Sequence, residues 1–235
     1  RRQRQMCIRD SREDGASNVL TRLRDVVIAG VVLGIGAPMF VGIAAAVKID
    51  SPGPALFRQE RVGRHGRHFQ IHKFRTMAVS HSGVAVSSTG DPRVTRVGAV
   101  LRRTKLDELP QFFDVLVGAM SLVGPRPEVP QFVARWPDEL RSEILSVRPG
   151  ITDPTSIAFR READELAEAE DPEEYYITTL LPQKTNMYLE YVRHRSFVGD
   201  LRILQQTFAA LCSDWQASDG EAEHFSQASE VPHER

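Results

Sequence analysis

The chain has 235 residues, of which 41% are hydrophobic and 26% are charged, and its formal net charge is −1. This composition excludes a low-complexity or collagen-like protein and suits one globular domain with an appendage. The two cysteines, Cys7 and Cys212, have no metal-ligand spacing and form no disulfide framework, so the sequence indicates neither a zinc site nor a small disulfide-rich fold.

The N-terminal region begins with a polar, arginine-rich and aperiodic stretch over residues 1–18, which predicts a mobile arm. Residues 19–50 are predicted to form a membrane-inserted segment. From Val26 to Val47 there are 22 consecutive residues without a charge, enough to cross the hydrocarbon core of a bilayer. Pro38 lies in the middle of this run. Because proline removes a helical hydrogen bond, a kink or break is predicted at Ala37-Pro38.

Three interpretations of the apolar segment remain open: a straight transmembrane helix, a buried core helix, and a re-entrant segment that returns to the same face. Arg22 and Arg24 precede it, and residues 58–75, which follow it, carry six basic residues and one acidic residue, a local charge of +5. Positive charge on both sides gives no inside–outside bias. This pattern favours a segment whose two ends share one face.

Residues 51–212 are predicted to form the main folded domain. It begins with the turn Ser51–Pro54, after which the β-like runs 55–59 and 69–74 flank a glycine-containing turn and predict a β-hairpin. Three histidines, His65, His68 and His72, lie on this hairpin, where their spacing would scatter them. A basic surface is therefore preferred over a metal cluster. Residues 78–92 are small and polar and predict a flexible loop.

Residues 97–103 and 107–117 follow a helical pattern, and the second helix is predicted to bury Leu109, Phe112, Phe113 and Leu116. Because Pro110 fits only a first helical turn, this helix is predicted to begin near Asp107. The adjacent carboxylates of Asp107 and Glu108 could hold a divalent cation or attack phosphorus. They could equally be a helix N-cap and a first-turn acid, and local sequence alone favours that alternative.

Two turns fixed by glycine and proline carry single arginines, Arg126 in Gly124–Pro127 and Arg148 in Arg148–Thr152. An arginine on a rigid turn can clamp a phosphate. Helices are predicted over about 184–193 and 198–211. The second carries an apolar stripe, Leu201, Leu204, Phe208 and Leu211, which suits a core or interfacial face. Residues 213–235 hold six acids and one arginine and predict an acidic, disordered tail.

These features occur in an order that resembles the bacterial sugar transferases, the monotopic phosphoglycosyl transferases, from about Thr21 to Leu211. Six blocks carry the resemblance: Thr21–Asp25, Phe57–Gly63, Lys73–Met77, Leu106–Pro110, Ser121–Pro127 and Arg148–Thr152. The family breaks its membrane helix at a Ser-Pro pair, and here the pair is Ala37-Pro38.

The resemblance implies a mostly helical α/β fold with a re-entrant, broken N-terminal membrane helix and a small β-hairpin. Amphipathic interfacial helices would surround an active site at the membrane surface, on the cytoplasmic face of the bacterial inner membrane. Membrane lipids would be partners, a homodimer would be compatible, and no nucleic acid is implied.

The chemistry implied by the resemblance moves a sugar 1-phosphate from a UDP-sugar to polyprenyl (undecaprenyl) phosphate and releases UMP. It would begin the assembly of an exopolysaccharide, capsule, O-antigen or glycoprotein glycan. Asp107 would be the nucleophile of a covalent aspartyl-phosphosugar intermediate, and Glu108 its acidic partner, the two lying at a Mg²⁺ ion. Arg126 would bind phosphate. Further phosphate candidates are Arg75 and Arg148, with Lys73 and Arg61 as weaker ones. The competing class is a non-catalytic membrane scaffold that binds nucleotide sugars or partner glycosyltransferases.

The sequence departs from the family pattern at two places. Many members follow Pro-Gly-Ile-Thr with Gly-Trp, where this chain has Asp153-Pro154. Many also carry an aspartate three residues before the position of Tyr191, where this chain has Tyr188. These regions plausibly shape sugar recognition, so the resemblance does not predict which sugar is transferred.

Overall fold

The computed structural model describes residues 2–78 and 89–228, with side chains over 18–78 and 89–213. Within these residues the protein is mostly helical. The helices are α1 (Arg2–Asp50), α2 (Arg96–Arg103), α3 (Gln111–Val117), α4 (Pro130–Val133), α5 (Asp138–Ile144), α6 (Pro154–Ala158), α7 (Glu162–Glu168), α8 (Pro172–Tyr175), α9 (Leu181–His194) and α10 (Phe197–Ala228). The strands are β1 (Leu56–Val62), β2 (His68–Phe74), β3 (Ser121–Val123) and β4 (Gly150–Thr152). Most of the predicted loop 78–92 lies outside the described residues.

Helix α1 contains both the predicted arm and the predicted membrane segment, and it continues through Pro38. The proline therefore does not end the helix, since it removes only one hydrogen bond and its own backbone angle suits a helix. Asn18–Asp50 is apolar and long enough to cross a membrane, and little of it is buried in the protein. This helix fits a membrane-associated protein. The re-entrant course and the mobility of residues 1–18 stay predictions.

Both ends of the apolar segment contact the same folded body. At the first end, Asp25 is fully buried and accepts a hydrogen bond from the Ser121 hydroxyl at 2.5 Å. Ala29 packs there into a core cluster with Val115 and Met120. At the second end, Val47 packs with Phe74 and Leu101, so the exposed apolar stretch lies between two anchored ends.

The predicted β-hairpin is confirmed. Strands β1 and β2 pair antiparallel, with Leu56 opposite Phe74 and Val62 opposite His68. The turn between them contains His65 in a left-handed conformation (φ 58°). The strands extend further toward the turn than the apolar pattern indicates, because the backbone pairing continues through charged residues that face solvent.

The predicted helix over 107–117 is shorter than expected. Lys105 adopts a left-handed conformation (φ 56°), Leu106–Glu108 forms a single 3₁₀ turn, and α3 begins only at Gln111. The predicted buried face is also wrong for two of its residues, since Phe113 and Leu116 are exposed by 49% and 37%. The buried residues of α3 are Gln111, Asp114 and Val115. Asp114 is accommodated because it accepts hydrogen bonds from the backbone and ring of His72.

Strands β3 and β4 pair in parallel, which brings together the two glycine–proline turns that lie apart in the sequence. The pairing depends on close backbone contact. A Cβ added to Gly150 would lie 2.1 Å from the Gly124 nitrogen, and one added to Gly124 would lie 2.5 Å from the Arg148 carbonyl oxygen. Only glycine fits at these two positions.

The C-terminal half wraps this pair of strands. Helix α8, a π-helical turn over Tyr176–Leu180 and helix α9 form one continuous helical stretch. It packs on the main core cluster, which includes Trp136, Leu166 and Tyr188. Most of the apolar stripe of α10 is not core, because Phe208 is 70% exposed and Leu201 43% exposed. Leu204 is partly buried and packs against the cluster that contains Val115 and Met120. The interfacial interpretation of the stripe stays a prediction.

Candidate active site

The acidic pair lies on a short, constrained turn. Lys105 is in the left-handed region just before the 3₁₀ turn that carries Asp107 and Glu108. Left-handed conformations of non-glycine residues are costly and cluster at functional sites. Asp107 is not the N-cap of α3, since that position is Pro110 and no side chain caps the helix. The capping interpretation of Asp107 is therefore wrong.

Glu108 forms ion pairs with two of the predicted cations. Its Oε1 accepts hydrogen bonds from Lys73 Nζ at 2.7 Å and from Arg126 Nη2 at 2.5 Å. Burial opposes the ionised carboxylate, but Arg126 and Lys73 outweigh it and hold the pKa of Glu108 well below its usual range. Burial lowers the pKa of Lys73, against the raising effect of Glu108. Glu108 therefore favours the charged forms of Lys73 and Arg126, and both cations favour the ionised form of Glu108.

Asp107 lies beside this cluster and is only 8% exposed. Its Oδ1 has no hydrogen-bond partner among the described residues, which is unusual for a buried carboxylate oxygen. Burial and the negative charge of Glu108 raise the pKa of Asp107, against the lowering effect of Lys73, Lys105 and Arg102. An uncommitted, weakly solvated carboxylate oxygen has the properties that a nucleophile requires.

Sequence reasoning missed Arg102 as a neighbour of Asp107. It is the penultimate residue of α2, and its Nε donates to the Thr76 hydroxyl at 2.9 Å. Burial lowers the pKa of Arg102 while the charge of Asp107 raises it. The available signal was its position five residues before Asp107, at the end of a helix that leads directly into the acidic turn.

Arg126 is fixed through both its side chain and its backbone. The guanidinium pairs with Glu108, whose charge, acting against burial, raises the pKa of Arg126. The backbone N–H donates to Asp153 Oδ2 at 2.9 Å. Arg61 supports the same turn, since its Nη1 donates to the Pro127 carbonyl at 3.0 Å. Lys73, Glu108 and Arg126 are thus brought together from β2, the 3₁₀ turn and the segment after β3.

Two of the predicted phosphate residues lie elsewhere. The Arg75 guanidinium is buried and donates to the carbonyls of Pro52 at 2.5 Å and Ser51 at 2.8 Å, so it binds the chain just after α1. Burial lowers the pKa of Arg148, and the charges of the neighbouring Arg22 and Arg64 lower it further. The structure therefore does not place Arg75 or Arg148 in the Glu108 cluster.

A cavity of about 560 Å³ opens beside the cluster, and Glu108 and Arg126 are part of its wall. Pockets of this size hold small organic ligands. One part of the wall is apolar, with Leu109, Phe112 and Leu204, and another is polar. Asp107 and Lys73 lie behind Glu108 rather than in the wall. Arg160, which sequence reasoning did not single out, also lines the cavity.

The polar wall contains a buried network that no local motif indicates. Lys184 is 4% exposed and contacts Glu162 at 3.0 Å, Glu128 at 3.7 Å and the Tyr176 hydroxyl at 3.3 Å. The Tyr176 hydroxyl in turn donates to Glu128 at 2.7 Å. Buried charges of this kind persist only when they are paired. The network gives the cavity a rigid polar side that can hydrogen-bond a hydroxyl-rich ligand.

The acidic pair also fits a divalent cation. Asp107 Oδ1 is a buried acceptor without a hydrogen-bond partner among the described residues, and Glu108 Oε2 accepts a hydrogen bond from Arg126 Nη1 at 3.5 Å. Over the described part of the chain, no group of three or more His, Cys, Asp or Glu side chains is arranged to hold a metal ion. Mg²⁺ is commonly bound by one or two carboxylates together with substrate phosphates, and these two oxygens match that requirement.

Comparisons with known proteins agree with the geometry. A sequence model described as bacterial sugar transferase matches residues 16–214. The chain is 39% identical over 200 residues to the UDP-glucose:undecaprenyl-phosphate glucose-1-phosphate transferase of Escherichia coli, covering 83% of this chain and 40% of that protein. It is 37% identical over 209 residues to the protein of the same description from Caulobacter vibrioides, covering 83% of this chain and 71% of that one.

A third relative carries a different sugar in its name. The UDP-N-acetylgalactosamine-undecaprenyl-phosphate N-acetylgalactosaminephosphotransferase of Aeromonas hydrophila is 39% identical over 164 residues, covering 67% of this chain and 39% of that protein. The chain thus spans about two fifths of the length of the Escherichia coli and Aeromonas relatives. Similar identity to relatives named for different sugars means that overall similarity does not select the sugar.

Proposed function

This chain belongs to the bacterial sugar transferase family, and we propose that it transfers a sugar 1-phosphate from a UDP-sugar to polyprenyl phosphate and releases UMP. The observation that carries the proposal is the cluster of Glu108, Lys73 and Arg126 beside the Asp107 carboxylate, whose Oδ1 has no hydrogen-bond partner among the described residues. Glu108 and Arg126 of this cluster line the cavity. The named activities of the relatives support it. The product would begin assembly of a cell-surface or secreted glycan.

The first half-reaction in this proposal is attack by Asp107. A carboxylate oxygen forms a bond to the phosphorus that carries the sugar, and the bond between that phosphorus and the bridging oxygen of UMP breaks. The bridging oxygen leaves with the bonding electron pair as part of UMP. Arg126 and Lys73 lie where they can neutralise the charge on the phosphate oxygens. The result is an aspartyl-phosphosugar.

The second half-reaction restores the enzyme. A phosphate oxygen of polyprenyl phosphate bonds to the same phosphorus, and the bond to Asp107 breaks, returning the electron pair to the carboxylate. The product is a polyprenyl-diphosphate-sugar. Splitting the transfer into two steps lets a water-soluble donor and a lipid acceptor use one site in turn.

Mg²⁺ is part of the proposal. Asp107 Oδ1 and Glu108 Oε2 are the oxygens that would hold it. When bound, Mg²⁺ would neutralise part of the charge of the donor diphosphate. Glu108 has a second role that needs no metal, since it orients Arg126 and keeps Lys73 charged.

We further propose that the active site faces the cytoplasm at the inner membrane and that α1 enters the bilayer without crossing it. Support comes from the two anchored ends of the apolar segment, where Asp25 and Val47 both pack on the same body. A helix that crossed the bilayer would carry one end away from that body. Labelling of single cysteines introduced at positions 18 and 50 from one side of the membrane would test this topology.

The activity is tested by measuring UMP release from a panel of UDP-sugars with polyprenyl phosphate and Mg²⁺. Asp107→Asn is expected to abolish UMP release, because an amide is not a nucleophile at phosphorus. Asp138→Asn is the matched control, since the Asp138 side chain is 92% exposed. Release of UDP instead of UMP, or donor binding without turnover, would contradict the proposal, and the second result would favour a non-catalytic scaffold.

A further inference from the structure

The carboxylate of Asp153 has more partners than a helix cap requires. It is fully buried. Its Oδ1 accepts hydrogen bonds from the Thr155 hydroxyl and the Ser156 N–H, both at 2.6 Å, and this caps α6. Its Oδ2 accepts the hydrogen bond of the Arg126 N–H at 2.9 Å. One side chain therefore joins the start of α6 to the backbone of the site arginine.

The hydrogen bond to Arg126 has no substitute in its own turn. Arg126 lies between Pro125 and Pro127, and neither proline has an N–H group. The Arg126 amide is therefore the sole main-chain donor of this tripeptide. Without the Asp153 acceptor, the part-buried Arg126 N–H would be unpaired, and the Arg126 backbone would no longer be fixed in the position that orients its guanidinium.

Tyr188 of α9 is close enough to the same carboxylate for the Asp153 charge to act on its hydroxyl. It is 1% exposed. Burial raises the pKa of Tyr188 well above its usual range, and the charges of Asp153 and Glu128 add to the effect. Tyr188 is therefore neutral, and Asp153 supplies the negative charge at this point.

Helix α6 packs on α9, which brings the Asp153 cap within electrostatic reach of Tyr188.

We propose that Asp153 is a positioning residue for phosphoryl transfer, which holds the Arg126 turn in place. This inference rests on the proposed function. It assigns Asp153 no contact with substrate. Its effect passes through Arg126, where a displacement of about 1 Å is enough to slow a reaction by about 100-fold.

The first test is Asp153→Asn, which keeps the size and one oxygen for the α6 cap but turns an NH₂ group toward the Arg126 N–H. We expect kcat for UMP release to fall by about 100-fold, with a KM for the UDP-sugar within a few-fold of wild type. Hydrogen–deuterium exchange at the Arg126 amide should become faster, a readout that does not depend on activity. Wild-type kcat together with unchanged exchange would overturn the proposal.

Asp171→Asn is the matched control. Asp171 is also an aspartate N-cap, accepting from the N–H groups of Glu173 and Glu174 at 3.0 Å, but it is exposed and belongs to α8. Its kcat should equal that of wild type. An equal loss of kcat in both variants would mean that weakened capping, and not the Arg126 contact, is responsible, and would overturn the proposal.

The second test removes the acceptor altogether. Asp153→Gly should lose activity, and the Arg126 amide should exchange at least as fast as in Asp153→Asn. Wild-type exchange at Arg126 in this variant would overturn the proposal. Failure of the proposed function is distinguishable, because then the wild-type protein itself would release no UMP, whereas the exchange measurements would still report on Arg126.

Discussion

Replacing Glu108 by Gln removes the one charge that both Lys73 and Arg126 share. The pairs are short, 2.7 Å to Lys73 Nζ and 2.5 Å to Arg126 Nη2, and the Glu108 side chain is only 16% exposed. The glutamine has nearly the same shape but leaves two buried cations facing each other. The variant therefore probes charge with little change in packing.

The expected size follows from these distances. At an effective dielectric constant of about 20, unit charges 2.7 Å apart attract each other by about 6 kcal/mol before desolvation is counted. Removing one partner of a buried pair has a net cost of about 3–5 kcal/mol, and the partial exposure of Arg126 places this case near about 3 kcal/mol. For a protein of this length, that corresponds to a fall of roughly 6–12 °C in the unfolding midpoint.

Activity should fall for a second reason. Burial lowers the pKa of Lys73, and the charge of Glu108 is the main influence that opposes this. Without it, Lys73 loses its proton more readily and Arg126 loses its orientation. We expect kcat for UMP release to fall by at least about 100-fold.

The assay compares unfolding midpoints and UMP release of detergent-purified wild type, Glu108→Gln and Glu143→Gln. Glu143 also pairs with an arginine, Arg193, at 2.8 Å, but both side chains are well exposed, so this control should be indistinguishable from wild type. If Glu108→Gln matched the control in both measurements, the inferred role of the ion-pair cluster would be refuted.

Other predictions concern the fold around the site and its response to pH. Arg75→Met should destabilise the protein by roughly 2–4 kcal/mol, from charged hydrogen bonds to backbone carbonyls, and leave the KM of the folded fraction unchanged; a raised KM with normal stability would return Arg75 to the phosphate site. Gly124→Ala should abolish activity and lower the unfolding midpoint, because its Cβ would lie 2.5 Å from the Arg148 carbonyl oxygen. Gly30→Ala is the control and should change neither, since no atom lies within 4 Å of the added Cβ. Equal effects of the two substitutions would contradict the close-contact argument. Because attack requires ionised Asp107 and its pKa is raised, kcat/KM should fall on acidification at a pH above the ordinary aspartate range. Because the pKa of Glu108 is lowered, the stabilisation from its ionised form is present at every pH above the ordinary glutamate pKa and is lost only as pH falls toward the lowered pKa. Circular dichroism should therefore show folded protein throughout the fall in activity. A rate independent of pH down to about 4 would refute the assignment of Asp107 as the nucleophile.

Local sequence predicted the elements whose signals are local. Alternation and a glycine turn predicted the hairpin, and proline–glycine punctuation predicted the turns at Arg126 and Arg148. The uncharged run from Val26 to Val47 predicted a long apolar helix. Each of these depends on the conformational preferences of neighbouring residues, so a single stretch of sequence contains the information.

Prediction failed where long-range contacts outweigh local preference. Phe113 looked like a core residue, yet it is exposed, and Asp114 is buried because β2 supplies its hydrogen-bond donors. Asp107 looked like a helix cap, yet the left-handed Lys105 places it in a separate turn. The Arg75 guanidinium donates to the carbonyls just after α1, and its role toward phosphate stays a prediction.

The acidic pair, the arginine turns and the family can be recognised from the sequence, because they are short motifs in a fixed order. The partners of each charged side chain depend on the tertiary structure. Glu108 forms ion pairs with Lys73 and Arg126, which come from distant segments. Asp107 Oδ1 is buried without a hydrogen-bond partner among the described residues, and the charge of Asp153 acts on the Tyr188 hydroxyl. The physical reason is that the energy of a charge depends on its neighbours and its solvent exposure, and folding sets both between residues far apart in the chain.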